Sequence, residues 1–588
     1  MEGRNIFEMP SSWAFRGTVI LASCLLSLPV LVFNGPTWYP YIFLFKWSLV
    51  FGVVAYAFGF CAFLYMTGRC GVSLSFLEIA WLTLALFLAF QPFFIPLRSV
   101  HEWVRNWFFF ASMGAAIFVL RNLPIDRALP FILQGITLVG AVSTLLGFLQ
   151  VSPWNGHFPF VLDVSRHPGR FVGNTGLDNL LGAYLAFAIA AGFWLLFYAQ
   201  KKGMKGRTFS SLTLALIAVN AVGLWRAAAR SAFAACLLGL VVLFFSFRPS
   251  IKLLGKMLVV LLLLSSLLIF ALSIAPSIFS VARRDMSQLF SAETLSRKKE
   301  GRFVIWDISW EMIRTAPVLG VGLGNYKWHY LDAMAAYRDK TEIPPRYTYW
   351  AHNEYLQWLA ETGIVGVLLL ACLLAYALGL SLRYAGEDSC FVRPWIFASL
   401  TILAVDSCFS RPFHHVETAF ILPFALALLS RSGSHSLRLK RSLRLVMGGA
   451  ALAVTALGLV LFAQVYSCQA YLGKYFYDDF HISFRPSEER ERVWQPFLLR
   501  DAFLQLIAKE NYVRTRLEGD EERNQHDAIR LLERCFATQP RYEELNKLML
   551  LYQRRGEAAR GEPYLKYYPA EERQKFREGR FDGTYMED

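Results

Sequence analysis

An all-α polytopic membrane protein is the fold class this sequence predicts, and three observations predict it. The 588 residues are 55% hydrophobic and 15% aromatic, with only 18% charged, and the mean hydropathy is +0.38. The apolar residues come in blocks of about 20, the length of helix that crosses a bilayer. One long polar, aromatic-rich stretch, Gly301 to Gly366, interrupts those blocks, and the composition turns sharply charged from about Cys468 onward. The expectation is about 12–13 transmembrane helices, a large extracytoplasmic loop and a C-terminal helical extracytoplasmic domain.

Taken in order, the candidate spans are 17–34, 47–66, 75–96, 107–120, 128–150, 178–199, 209–225, 231–247, 257–275, 363–382, 394–409, 416–430 and 446–467. The first follows Arg16 and shows no small-residue cleavage site, so it reads as a retained anchor. Basic clusters set the orientation: Lys201, Lys202, Lys205 and Arg207, then Arg248, Lys252 and Lys256, then Arg431, Arg438, Lys440, Arg441 and Arg444. All three fall on one side if the N-terminus is cytoplasmic. The loop over 276–362 and the tail 468–588 then lie outside. The net charge of +15 is explained by such loops and by contact with anionic membrane lipids, with no call for nucleic acid. Most of the nine cysteines sit in apolar runs (Cys24, Cys61, Cys236, Cys372, Cys408) and form no CxxC pair, which is the pattern of small core residues.

The tail, DAIRLLERCFATQPRYEELNKLMLLYQRRGEAARGEPYLKYYP at its core, carries apolar residues at helical spacing, a Gln-Pro break and a turn at Gly556. It resembles one tetratricopeptide helix pair. A single such unit buries little, so a helical cap or a module docking a protein partner is the reading it supports.

Within the loop, Gly320, Gly322 and Gly324 superficially suggest a phosphate loop. No strand precedes them and no GK[ST] follows, so a tight turn is expected. No Asp-x-Asp pair is present to hold a divalent ion on a sugar diphosphate, and His414 and His415 are adjacent, which makes their side chains diverge. No metal or other cofactor is expected. The helix after Arg302 carries Phe303, Trp306, Trp310 and Ile313 at steps of three and four, an apolar stripe that would seat it on the bilayer surface or in a core.

Arginines near apolar runs are costly and need a partner or a task. Arg226 and Arg230 lie four apart in LWRAAARSAFAA, on one face of a helix. Arg302 opens the loop helix, and Arg170 lies in HPGRFVGNTGLDN. Guanidinium groups offer forked donors suited to phosphate oxygens, and they also snorkel to lipid headgroups. His352 in YWAHNEYLQWLAETGIVG stands at the mouth of a span, where a neutral imidazole could take a proton from a hydroxyl or serve structure alone.

These residues carry a resemblance. Arg302 with Trp306, Pro317 with Gly320 and Gly322, HNEYLQ at 352–357 and ETGIVG at 361–366 resemble the signature of the O-antigen ligase and Wzy-type polymerase superfamily. RAAARSAFAA resembles that family's arginine at the entry to a membrane helix and places Arg230 there. GRFVGNTGLDN resembles its G-x-F-x-N-x-N loop, with Thr175 to Asp178 departing from the usual Pro-Asn. The likeness spans roughly residues 165–430 and makes 1–467 a membrane glycosyltransferase domain of GT-C type.

The resemblance implies metal-independent, inverting transfer of a glycan from undecaprenyl diphosphate to an acceptor hydroxyl at the outer face of the bacterial cytoplasmic membrane. The acceptor would be a lipid A-core, a growing polysaccharide or, in a protein O-oligosaccharyltransferase, a protein. Arg230 and Arg302 would bind the diphosphate and His352 would activate the acceptor. Arg226, Arg170, Asn353 and Trp306 would line the substrate site. Many spans with buried arginines also fit a transporter of lipid or glycan, although no inverted repeat or paired broken helices are visible. A non-catalytic scaffold that uses its tail for docking is the third reading.

Overall fold

The structure is a computed structural model. It describes residues 13–32, 75–152, 171–204, 206–249, 292–337, 347–383, 389–430, 522–538 and 540–585, together with 46, 50, 52–59, 62, 154, 157, 255, 259, 263, 266, 442, 445, 446, 448–450, 452, 453, 455–460, 463, 504, 508 and 512. The secondary structure among these residues is helical, without strands. The first helices are α1 (Trp13–Leu31), α2 (Phe76–Phe90), α3 (Val100–Arg121), α4 (Ile125–Val151), α5 (Asp178–Lys201), α6 (Arg207–Ala227) and α7 (Arg230–Phe247). They are followed by α8 (Ala292–Thr315), α9 (Tyr326–Tyr337), α10 (Glu354–Arg383), α11 (Ser389–Ser407), α12 (Val416–Ala419) and α13 (Ile421–Ser430). The tail contributes α14 (Glu522–Thr538), α15 (Tyr542–Arg554), α16 (Ala558–Gly561) and α17 (Ala570–Arg577).

Eight of the described helices are long and apolar enough to cross a membrane, and Phe15–Leu31, Val416–Ser430 and Gly448–Val460 form shorter apolar helices. The chain is an all-α polytopic membrane protein. The expected spans at 107–120 and 209–225 lie within the longer candidates Val100–Arg121 and Arg207–Ala227, and that at 394–409 overlaps Cys390–Ser407. That expected at 257–275 falls largely outside the described residues, and those at 47–66 and 446–467 fall partly outside them. Helix α5 is the axis: its apolar window is wholly buried, packed among α4, α6, α7 and α11. A helix apolar on every face, as DNLLGAYLAFAIAAGFWLLF is, has no polar side to offer and goes to the centre.

Two ends can be told apart by their contacts. At one, Glu78 pairs with Arg121 at 3.2 Å, Trp194 Nε1 donates to the Phe391 carbonyl at 2.8 Å, and Lys202 stands 4.8 Å from the Phe391 ring. Lys201 and Arg248, from two of the basic clusters, border one cleft at this end; the third cluster, 431–444, lies almost wholly outside the described residues. At the other end gather the start of α3, the 171–178 turn, the α6–α7 junction, the long loop and the 406–415 segment, where every candidate site residue that the structure describes is found.

There the glycine-rich turn is a clamp. Val321 N donates to the Ala360 carbonyl (2.8 Å), Gly322 N to Glu361 (3.0 Å), Ile364 N to Pro317 (2.9 Å) and Val365 N to Val318 (3.2 Å). The helix α10 breaks at Gly363 (φ 62°, ψ −167°) to make room for it. This is why glycine is required at both positions: a Cβ on Gly320 (φ +74°) would stand 2.4 Å from the Glu361 carbonyl carbon, and one on Gly363 2.3 Å from Val318 O. Gln91 locks the joint, donating to Leu319 and Glu361 carbonyls at 3.0 Å each and accepting from Leu323 N at 3.1 Å. The turn serves architecture.

One local expectation is corrected, and the packing of α8 is added to another. Arg226 and Arg230 do not share a helical face, because α6 ends at Ala227, Ala228 turns left-handed (φ 53°) and α7 begins at Arg230. On α8 the buried face is Val304, Ile305, Ile308 and Met312, with Ile313 beside it, whereas Phe303 and Trp310 of the expected stripe are exposed. That face meets α9 and the tail in a second core, where Tyr326, Tyr330, Leu531, Tyr542, Leu545 and Tyr552 are buried.

Candidate active site

Arg302 sits in α8 at the α6–α7 end of the bundle. Its side chain keeps contact with solvent, yet surrounding protein partly desolvates the guanidinium. That desolvation, then the like charge of Arg230, lowers its pKa, while Asp406 and Asp178 act the other way. Four elements therefore converge: α8 brings Arg302, the start of α7 brings Arg230, the start of α5 brings Asp178, and the end of α11 brings Asp406. Two like charges at a bundle mouth favour an anion between them, and the forked donors of arginine match phosphate oxygens in geometry. Asp406 is 1% exposed, with the Ser231 and Ser410 side chains and Arg302 close by. Sequence reasoning missed it, although a lone carboxylate at the end of an apolar run (SLTILAVDSCF) is a signal.

One helical turn beyond Arg302, Trp306 Nε1 donates to the Ala351 carbonyl at 3.0 Å, and its ring packs 6.1 Å from Phe409. Ala351 N donates to Gln357 Oε1 at 2.8 Å, and Gln357 Nε2 donates to Glu361 Oε1 at 2.9 Å. The next residue, His352, is half-buried and left-handed, at φ 51°. A non-glycine residue there costs about 1–3 kcal/mol and persists only where its surroundings impose it, a pattern that concentrates at active sites. Asn353 caps α10, its Oδ1 accepting from Tyr355 N (3.0 Å) and Leu356 N (3.1 Å). Trp306 and Asn353 thus shape the histidine's backbone. Arg226 is half-buried at the end of α6, and Arg170 lies outside the described residues.

A second cluster faces His352. Glu354 accepts from Phe413 N at 2.9 Å and pairs with His414 Nδ1 at 3.0 Å. The His414 ring lies edge-on to Trp350 at 4.5 Å, and the Arg411 guanidinium stands 5.3 Å from the Trp350 ring centre. Burial pulls the His414 pKa down, but the Glu354 carboxylate more than offsets it, and the net shift is upward. Its neighbour His415 is held well below the usual range by burial, then by Arg411, His414, Lys46 and His352. Deeper, Lys46 pairs with Glu417 at 2.8 Å with both side chains fully buried. Lys46 also donates to the Asn174 carbonyl, and the Asn174 amide donates to the Leu31 carbonyl at 2.8 Å. Asn174 in the G-x-F-x-N loop is thereby a strut between α1, α5 and α12.

The site is that of a multi-pass membrane protein whose mouth carries Arg302 and Arg230, with a left-handed histidine close by. Residues 215–371 match the family model described as O-Antigen ligase (Wzy_C), a likeness that supports ligase- or polymerase-type activity in general. The matched segment contains Arg226, Arg230, Arg302, Trp306, Gly320, His352 and Asn353. Arg170, the 406–415 segment and the tail lie beyond it. A search of curated proteins finds no match.

Proposed function

We propose that the protein transfers a glycan from undecaprenyl diphosphate to an acceptor hydroxyl on the outer face of a bacterial cytoplasmic membrane. The observation that carries this reading is the approach of Arg302 to Arg230 at the same bundle mouth as a left-handed His352. The two guanidinium groups bind the diphosphate and stabilise the charge that grows as it leaves. His352 takes the proton of the acceptor hydroxyl, whose oxygen attacks the anomeric carbon as the bond to the diphosphate breaks. Attack opposite the leaving group inverts the anomeric centre.

The acceptor is a lipid A-core, a growing polysaccharide or a protein side-chain hydroxyl, which share this donor chemistry. The tail and the catalytic loop lie on the same side of the bundle, outside the membrane. The test is transfer by Arg302→Ala and His352→Ala in protein that inserts normally. Both variants are expected to lose transfer; wild-type rates in both refute the reading and return the transporter and scaffold alternatives.

A further inference from the structure

The approach to His352 is held from two sides. On the membrane side, Trp306 and Gln357 grip Ala351 at its carbonyl and amide. On the other, the tail grips Tyr349 and Tyr347, two and four positions earlier. The Arg541 guanidinium stands 5.1 Å from the Tyr349 ring centre, and Tyr347 packs edge-on against Tyr542 at 6.1 Å and against Tyr349 at 5.3 Å. Between them, Thr348 Oγ1 donates to the Trp350 carbonyl at 3.0 Å and accepts from Trp350 N at 3.3 Å, so the segment transmits position as a folded unit. The tail is itself fixed to the loop, with Trp328 Nε1 donating to the Ala537 carbonyl at 2.9 Å. Tyr326, Tyr330, Tyr542, Leu545 and Leu548 share one core. At the exposed rim Lys566 meets Asp332 at 2.9 Å.

We propose that the C-terminal helical unit is the brace of the catalytic histidine, with Arg541 as its positioning residue acting through Tyr349. The tail is then part of the active site's support rather than an appendage for a partner. This rests on the role given to His352 above. Arg541 touches neither donor nor acceptor: it fixes the segment on which the left-handed residue is carried, and a misplaced base loses rate without loss of donor binding. A cation over an aromatic face gives the contact direction as well as strength.

The experiment uses the full-length protein in lipid nanodiscs, with an undecaprenyl-diphosphate-linked glycan as donor. Arg541→Ala is expected to lower turnover at least tenfold while donor affinity stays within twofold. Arg541→Lys, which keeps a cation over Tyr349, restores most of the turnover, and Lys566→Ala at the rim stays near wild type. Backbone amide exchange over 351–353 is expected to rise in Arg541→Ala and in Tyr349→Ala, with no further rise in the double variant.

Unchanged turnover and exchange in Arg541→Ala overturn the proposal. So does a parallel fall in donor affinity, or a defect that lysine leaves unrepaired. Should Arg541→Ala not fold, Arg541→Gln against Arg541→Lys makes the same comparison. If the wild-type protein transfers nothing from this donor, the function reading falls, and the exchange data still decide the brace.

Discussion

Replacing Gly363 with alanine strikes the clamp that joins the glycine-rich turn to the broken helix beneath the site. The backbone there (φ 62°, ψ −167°) is glycine territory, and imposing it on an L-residue costs about 1–3 kcal/mol. The added Cβ would also stand 2.3 Å from Val318 O and 2.5 Å from Gly320 N. Neither atom can yield without stretching Ile364 N→Pro317 O and Val365 N→Val318 O, each worth about 1 kcal/mol. The total is about 3–5 kcal/mol, large for one methyl group. Gly379 is the control, in the same helix with nothing within 4 Å of its Cβ position; alanine there is neutral or stabilising by up to about 1 kcal/mol. The assay is the thermal unfolding midpoint of each purified variant in detergent, with amide exchange over 317–324. A Gly363→Ala protein that melts with wild type and Gly379→Ala, with its turn still protected, would refute the clamp.

The buried Lys46–Glu417 pair predicts that Lys46→Ala destabilises by about 3–5 kcal/mol, because a carboxylate is left alone in the core. Lys46→Met with Glu417→Leu should recover most of that loss in the same melt. The His414 pKa is raised in the folded protein, so the stability its pair with Glu354 supplies is fully present below about pH 6.5 and is lost as pH rises through the elevated folded value. Melting midpoints measured across pH should therefore fall above pH 6.5 in wild type, and His414→Gln should flatten that slope. For the orientation, Thr584→Cys in a cysteine-free background should react with an impermeant thiol reagent in cells with a permeable outer layer. Labelling only after lysis would place the tail in the cytoplasm.

Much of this architecture was legible because bilayer physics is strict: apolar blocks had to become helices, and the polar interruption had to gather at one end. Glu361-Thr362-Gly363 announced the start of a span, and the structure breaks α10 at Gly363. The turn at Ala228 was not legible, since RAAARSAFAA holds no glycine or proline and alanine favours helix. The protein-buried face of α8 was not legible, because the partner surface on α9 and the tail selects Val304, Ile305, Ile308 and Met312 and leaves Phe303 and Trp310 exposed. Pairings such as Lys46 with Glu417 or Tyr349 with Arg541 join residues far apart in the sequence, and no local pattern encodes them. Arginine and histidine types could be singled out one by one; that Arg230 and Arg302 share a mouth with Asp178 and Asp406 is a product of packing.

The measurement that tests the central claim most directly is product formation by the purified protein from an undecaprenyl-diphosphate-linked glycan and candidate acceptors. The expected result is glycan joined to an acceptor hydroxyl with inverted anomeric configuration, free undecaprenyl diphosphate released, and rates about 10²–10³-fold lower in Arg302→Ala. Intact donor recovered with every acceptor, or transfer that persists in both Arg302→Ala and His352→Ala, would contradict it.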